Sequence, residues 1–182
     1  MLRADGFLAG ARRVESPNYD QRPAGSAVTL LVVHAISLPP GHFGGDAIER
    51  LFTNRLDPGA HPYFATLVGR RVSAHFLLRR DGELVQFVAA DKRAWHAGAS
   101  RWRGRERCND FSIGVELEGD EVQAFRDRQY AGLVALILEL QEQFPLREFA
   151  GHEDVAPQRK RDPGPRFDWP RVLRALAHGK RR

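Results

Sequence analysis

Hydrophobic positions along the chain change period several times, and each change marks a different element. Residues 29–36, TLLVVHAI, are a continuous β-branched and aliphatic run, the pattern of a buried central strand. Residues 46–56 switch to helical spacing. Ile48, Leu51, Phe52 and Leu56 share a face, Asp46 and Glu49 match a capping box, and Asp57-Pro58-Gly59 ends the helix. Residues 73–88, SAHFLLRRDGELVQFV, alternate on either side of Arg80-Asp81-Gly82-Glu83; Asp-Gly is a preferred pair for a tight turn, so this is a hairpin. Residues 111–118, FSIGVELE, put Phe111, Ile113, Val115 and Leu117 on one face of a strand and Ser112, Gly114, Glu116 and Glu118 on the other. Residues 127–144 predict a long amphipathic helix with Tyr130, Leu133, Val134, Ile137, Leu140 and Phe144 inward, stopped by Pro145. Asp168-Trp169-Pro170 opens a last helix with Val172, Leu173 and Leu176 inward and Gly179 at its end.

The order strand, helix, hairpin, strand, helix, loop, helix predicts an α/β fold: a single domain with a central mixed β-sheet and helices on both faces. Residues 1–28, rich in Pro, Gly and Ser, read as an irregular N-terminal segment, 29–178 as the domain and 179–182 as a solvated basic tail. No stretch approaches ~18 apolar residues, and the first residues lack the apolar core of a signal peptide, so the expected location is the cytoplasm. Cys108 is the only cysteine. It can form no intrachain disulfide, which fits a reducing compartment, and reads as a bystander thiol. A net charge of +5 admits nucleic acid, anionic membrane or an acidic ligand. The arginines are nevertheless scattered, densest at Arg101, Arg103, Arg105 and Arg107, with no basic helix face. Neither nucleic acid nor membrane is an expected partner, the charge would suit an acidic substrate, and the expected state is a monomer.

Chemistry concentrates in residues 151–165, GHEDVAPQRKRDPGP. Three prolines exclude a helix or a central strand there, yet such a loop can be stiff. It offers His152, Lys160 and Asp162. Two of these are good ligands for a first-row metal, but a catalytic zinc wants three protein ligands and one open position. His34, near the C-terminal end of its strand, is where sites in open α/β sheets are built; from its own run alone it reads as a core histidine held by a carbonyl. His75 suits a hydrogen-bonded sheet histidine or a supporting role equally, and nothing ties His61 to chemistry. The stretch 94–98, AWHAG, suits a pocket wall, although a core Trp95 explains it as well. Glu116 points away from the apolar face. On a covered face it would cost several kcal/mol unless answered by a cation or metal-bound group; on a solvated face it would cost nothing.

His34, His152 and Asp162 together make a three-ligand set with an open position. Glu116 could take a proton from water there, and Lys160 could stabilise an oxyanion. Zinc is the first choice, although two imidazoles and a carboxylate also suit non-haem Fe(II). Beyond this donor set, LPPGHFGG at 38–45, RVSAHFLLRRDGELVQFV at 71–88, KRAWHAG at 92–98, GRERCNDFSIGVELEG at 104–119 and GHEDVAPQRKRDPGPRFDW at 151–169 follow in order without large insertions. On these motifs the chain resembles the zinc-dependent N-acetylmuramoyl-L-alanine amidases of the amidase-2 group, in their cytoplasmic AmpD-type branch of peptidoglycan recycling.

The resemblance implies zinc on His34, His152 and Asp162, Glu116 as catalytic acid/base, Lys160 stabilising developing negative charge, and Arg71, Trp95 and Arg107 contacting a muropeptide. It implies hydrolysis of the amide between the lactyl group of 1,6-anhydro-N-acetylmuramic acid and L-alanine. Asp162 stands where extracellular relatives often carry cysteine, which favours the recycling branch. Ala35 follows the first ligand where relatives commonly have Asn, so one polar contact to the peptide is expected to be missing. The alternatives are a binding module that does not cut and a periplasmic wall amidase. All five site residues are present, which disfavours the first; the absence of a signal peptide and wall-binding repeats disfavours the second.

Overall fold

The computed structural model describes residues 1–179; the remainder of the expected basic tail lies outside the described residues. In chain order the first elements are β1 (Arg12–Arg13), β2 (Tyr19–Asp20), β3 (Leu30–Ile36), α1 (Ala47–Phe52) and α2 (Pro62–Ala65). Then come β4 (Phe76–Leu78), β5 (Leu84–Gln86), β6 (Arg93–Ala94), β7 (Arg101–Trp102) and β8 (Arg105–Glu106). A 3₁₀ turn (Cys108–Asp110) leads into β9 (Ser112–Glu118), followed by α3 (Asp127–Gln141), β10 (Glu148–Gly151), α4 (His152–Val155) and α5 (Trp169–Gly179).

Six strands form one mixed sheet in the order β1-β5-β4-β9-β3-β10. Only the β4–β5 hairpin pairs antiparallel within it. The two aliphatic runs lie at its heart because parallel strands with both faces covered must be apolar on both. One face of β3 and β9, through Leu31, Val33, Ile113, Val115 and Leu117, packs on Leu133, Ile137 and Leu140 of α3 and on Val172 and Leu176 of α5. The opposite face is covered in two patches. Ile48, Leu51 and Phe52 of α1 and Phe64 of α2 cover Leu77 and Val85, while Leu30 and Val32 meet Cys108, Phe111 and Val155.

The structure departs from the expectations in five places. The segment 1–28 is not wholly irregular: β1 adds a parallel edge strand beside β5, and β2 pairs with β6. Its Arg22, half-buried and with its pKa lowered to about 10 chiefly by desolvation, donates to the carbonyls of Ala90, Asn109, Asp110 and Ser112. The first helix ends at Phe52, and Asp46 makes no side-chain cap; its carboxylate pairs with Arg50 one turn on. Phe111 packs with Leu30 and Val32, on the face opposite Ile113, because the 3₁₀ turn breaks the alternation just before the strand. Gly151 closes a short edge strand beside β3, and His152 begins one turn of helix; the prolines come only after that turn. Leu173 is 48% exposed, since the buried stripe of α5 runs through Val172 and Leu176.

Gln129 ties the main helix to the sheet and is fully buried. Its Oε1 accepts the Arg126 N–H at the helix start, and its Nε2 donates to the carbonyls of Leu78 and Glu118, which end β4 and β9. The α3 face is thereby held at the end of the sheet that carries Glu116.

Truncating Leu133, which has no solvent exposure, removes packing at the centre of this face. Leu133→Ala is expected to cost about 2–5 kcal/mol in urea unfolding, whereas Leu173→Ala is expected to stay within about 0.5 kcal/mol.

Candidate metal centre and active-site cleft

The parallel register sets His34 directly opposite Glu116, on the sheet face away from α3. On the other side of β3, Gly151 pairs with Val33, so the chain leaves β10 and delivers His152 beside His34. The turn that follows returns at Asp162, whose carbonyl accepts the Glu153 N–H at 2.8 Å. Gly151 permits this closure, because a Cβ there would lie 2.8 Å from Cδ of Pro163. Three segments far apart in sequence thus meet at one point.

At that point His34 Nδ1 and His152 Nδ1 stand 2.9 Å apart. Oδ2 of Asp162 lies 3.1 Å from His152 Nδ1 and 3.4 Å from His34 Nδ1. Both histidines are buried, and Asp162 is partly so. Burial lowers the His34 pKa to about 4 against the opposing pull of Asp162. Burial works to raise the Asp162 pKa, but the closeness of His152 and His34 outweighs it and holds the carboxylate below its usual range. Two imidazole nitrogens and an ionised carboxylate converging in this way are electron-pair donors in need of a cation. Such a set suits zinc: borderline-soft nitrogen and one hard oxygen, three in number.

His152 and Asp162, with His34 buried against them, lie at a cleft of about 600 Å³ that also reaches Trp95, Glu116, Lys160, Tyr63 and Arg70. Among them Glu116 stands apart. It is 9% exposed, and its Oε2 is buried without a hydrogen-bond partner. Burial raises its pKa well above the ordinary carboxylate value, Asp162 adds to the rise and Lys160 opposes it. Glu118, two residues on and on the same face, is the useful contrast. It accepts the Gly44 N–H at 2.6 Å and the Arg80 N–H at 3.2 Å and pairs with Arg79 at 3.3 Å. One carboxylate is tied into the fold and braces the loop over the cleft; the other is left unpaired inside it.

The structure brings together His34, Glu116, His152, Lys160, Asp162 and Trp95. Arg71 does not line the cleft. It is exposed beside a shallow neighbouring hollow with Asn54, Leu56 and Pro58, while its neighbour Arg70 reaches the cleft. Arg107 is exposed, pairs with Asp110 at 3.3 Å, and borders a separate basic shelf with Arg101, Arg103 and Arg159. His75 is a sheet histidine: its Nδ1 accepts the Gly114 N–H, and burial lowers its pKa to about 3. His61 caps α2 by accepting the Tyr63 N–H. Pattern reading passed over Tyr63 and Arg70, which carry no local signal.

A family described as N-acetylmuramoyl-L-alanine amidase matches residues 24–165. The chain belongs to the N-acetylmuramoyl-L-alanine amidase family. It is 59% identical over 173 residues to the 1,6-anhydro-N-acetylmuramyl-L-alanine amidase AmpD of Escherichia coli K12, covering 94% of each chain. A crystal structure of a selenomethionine AmpD derivative superposes with a TM-score of 0.94 at 57% identity, over 97% of this chain and 99% of that one. The Escherichia coli amidase AmiD, solved with the substrate anhydro-N-acetylmuramic acid-L-Ala-D-γ-Glu-L-Lys, superposes with a TM-score of 0.60 at 28% identity, over 87% of this chain and 65% of that one. The amidase fold therefore carries the cleft just described.

The unpaired Glu116 has a stability consequence. Its folded pKa lies above the unfolded one, so the folded state favours the protonated form, and stability falls as pH rises from about the ordinary value of 4.5 through the folded pKa. Glu116→Gln is therefore expected to raise the melting temperature of the metal-free protein at pH 7 by a few degrees and to change it little at pH 4. Thermal unfolding in chelator at the two pH values checks this; an equal effect at both would contradict it.

Proposed function

We propose that this chain hydrolyses the amide bond between the lactyl group of 1,6-anhydro-N-acetylmuramic acid and L-alanine in muropeptides, as a step of peptidoglycan recycling. What carries the reading is the unpaired Oε2 of Glu116 in the same cleft as the convergent nitrogens of His34 and His152 and the oxygen of Asp162. The names of the relatives and the muropeptide bound to AmiD supply the substrate class.

In this reading His34, His152 and Asp162 hold zinc, which when bound supplies Lewis acidity, polarising a carbonyl and lowering the pKa of water. Glu116 takes the proton of the attacking water at its carboxylate and returns it to the departing amine of L-alanine. Its raised pKa fits both duties, since it brings the carboxyl closer to the working pH. Lys160, half-buried at the cleft wall, places a positive charge where the oxyanion develops. Trp95 presents an aromatic wall to the substrate, and Arg70, with Arg71 and Arg107 further out, gives the approach the positive charge that a stem peptide rich in carboxylates favours. Action in the cytoplasm and as a monomer is part of the proposal; the single buried thiol of Cys108 supports the former. Among the described residues no helix is long and apolar enough to cross a membrane.

Two variants test the assignment. Zinc-loaded wild type is expected to release free stem peptide from anhydro-muropeptide, read by mass spectrometry. Glu116→Ala is expected to retain zinc and lose about 10²–10⁴-fold in rate, while His152→Ala is expected to lose the metal itself, read by elemental analysis. Equal release by wild type and Glu116→Ala would remove Glu116 from its role. No release by folded, zinc-bearing wild type would turn the reading toward a module that binds muropeptide without cutting it.

A further inference from the structure

The mechanism above leaves His96 unused, although it is buried beside the metal centre. Its Nδ1 lies 2.9 Å from Nε2 of His34, the nitrogen that faces away from Asp162 and His152. Its Nε2 lies 3.1 Å from Oγ of Ser112. That hydroxyl donates to the Cys108 carbonyl at 2.6 Å. A carbonyl can only accept, so the single hydroxyl proton is committed there, and toward His96 the Ser112 oxygen must accept. No carboxylate is among the hydrogen-bond partners of the His96 ring.

The proton positions then follow one from another. His96 carries its proton on Nε2 and presents a bare Nδ1. His34 answers with a proton on Nε2, which leaves its own Nδ1 bare and aimed at His152 and Asp162. The next residue does the same for the second ligand: Nε2 of His152 lies 3.4 Å from the Ala97 carbonyl, which also accepts from Arg159 at 3.0 Å. Gly114 makes the arrangement possible, because a Cβ there would sit 2.4 Å from Cγ of His96. Both backbone amides of 96–97 accept direction from Asn109, whose Oδ1 receives their N–H groups at 3.3 and 2.8 Å.

We propose that His96 is a positioning residue whose hydrogen bonds, passed from the Cys108 carbonyl through Ser112, fix the tautomer of His34 so that Nδ1 is free to bind zinc, with the adjacent Ala97 carbonyl orienting His152. Groups one step outside a metal centre commonly set ligand orientation and basicity, and losing one typically costs about 10–100-fold in metal affinity. The inference rests on the metal-centre reading above.

The test measures zinc affinity rather than turnover, by competition with a chromophoric chelator on the full chain. His96→Leu, which has no acceptor to offer His34, is expected to weaken zinc binding about 10–100-fold, and Ser112→Ala is expected to weaken it in the same direction by less. His96→Asn keeps a carbonyl acceptor near the Nδ1 position and is expected to recover most of the loss. Nitrogen-15 spectra of imidazoles in the metal-free wild type give a second readout that needs no variant: His34 and His96 are both expected to be protonated on Nε2. A wild type that binds zinc while His96→Leu binds it equally well overturns the relay alone, as does a His34 protonated on Nδ1. A folded wild type that takes up no zinc overturns the metal centre and the relay together.

Discussion

The parallel pairing of β3 with β9 is the constraint on which the site depends. It sets His34 opposite Glu116 by backbone hydrogen bonds alone, before any side chain of the site makes a contact. A slip of β3 by one residue would turn His34 to the α3 face and drive Val33 toward the cleft, away from Glu116. Register is held against this by the apolar residues on both faces, by the covering of α3 and α5, and by Gln129 gripping the ends of β4 and β9. The core packing and the chemistry are therefore one specification. The third segment joins through β10, which brings His152 in beside β3 and lets Asp162 close back over it.

That arrangement concentrates unfavourable electrostatics in one place. Two buried imidazole nitrogens face each other at 2.9 Å beside a carboxylate, and a second carboxylate sits without a partner. Several other buried polar side chains are tied firmly into the fold. Glu118 is braced by Arg79 and two backbone amides, Arg22 is spent on four carbonyls, and Gln129 uses both ends of its amide. Against this background Glu116 is the carboxylate left without a counter-charge inside the cleft, as expected where function rather than stability determines what is buried.

Much of this was legible in the sequence where the pattern is local. The run at 29–36 and the alternation at 111–118 announced the two central strands, and Asp81-Gly82 announced the hairpin, because period and turn chemistry are properties of neighbouring residues. β10 was not, since a four-residue edge strand ending in Ala-Gly has neither alternation nor a β-branched run. Arg22 and Gln129 carried no local signal, because nothing in the neighbouring sequence tells a polar side chain tied to the fold from a solvated one; their carbonyl partners lie in other segments. Glu116 was the clearest case. Its face could be read from alternation, but whether that face was covered depended on the loops over it. His96 lay in view in AWHAG as a pocket-wall residue, and only the geometry around Ser112 and Gly114 gives its nitrogens partners. For Arg71 and Arg107 the resemblance implied contact with the muropeptide, whereas their side chains stand outside the cleft in the protein alone.

The central claim, that these side chains form a hydrolytic metal centre, is tested most directly by removing the metal and restoring it. Protein stripped by chelator and verified to hold no zinc is predicted to release no stem peptide from anhydro-muropeptide, and one equivalent of zinc per chain is predicted to restore release. Full release by the stripped, verified metal-free protein would contradict the account.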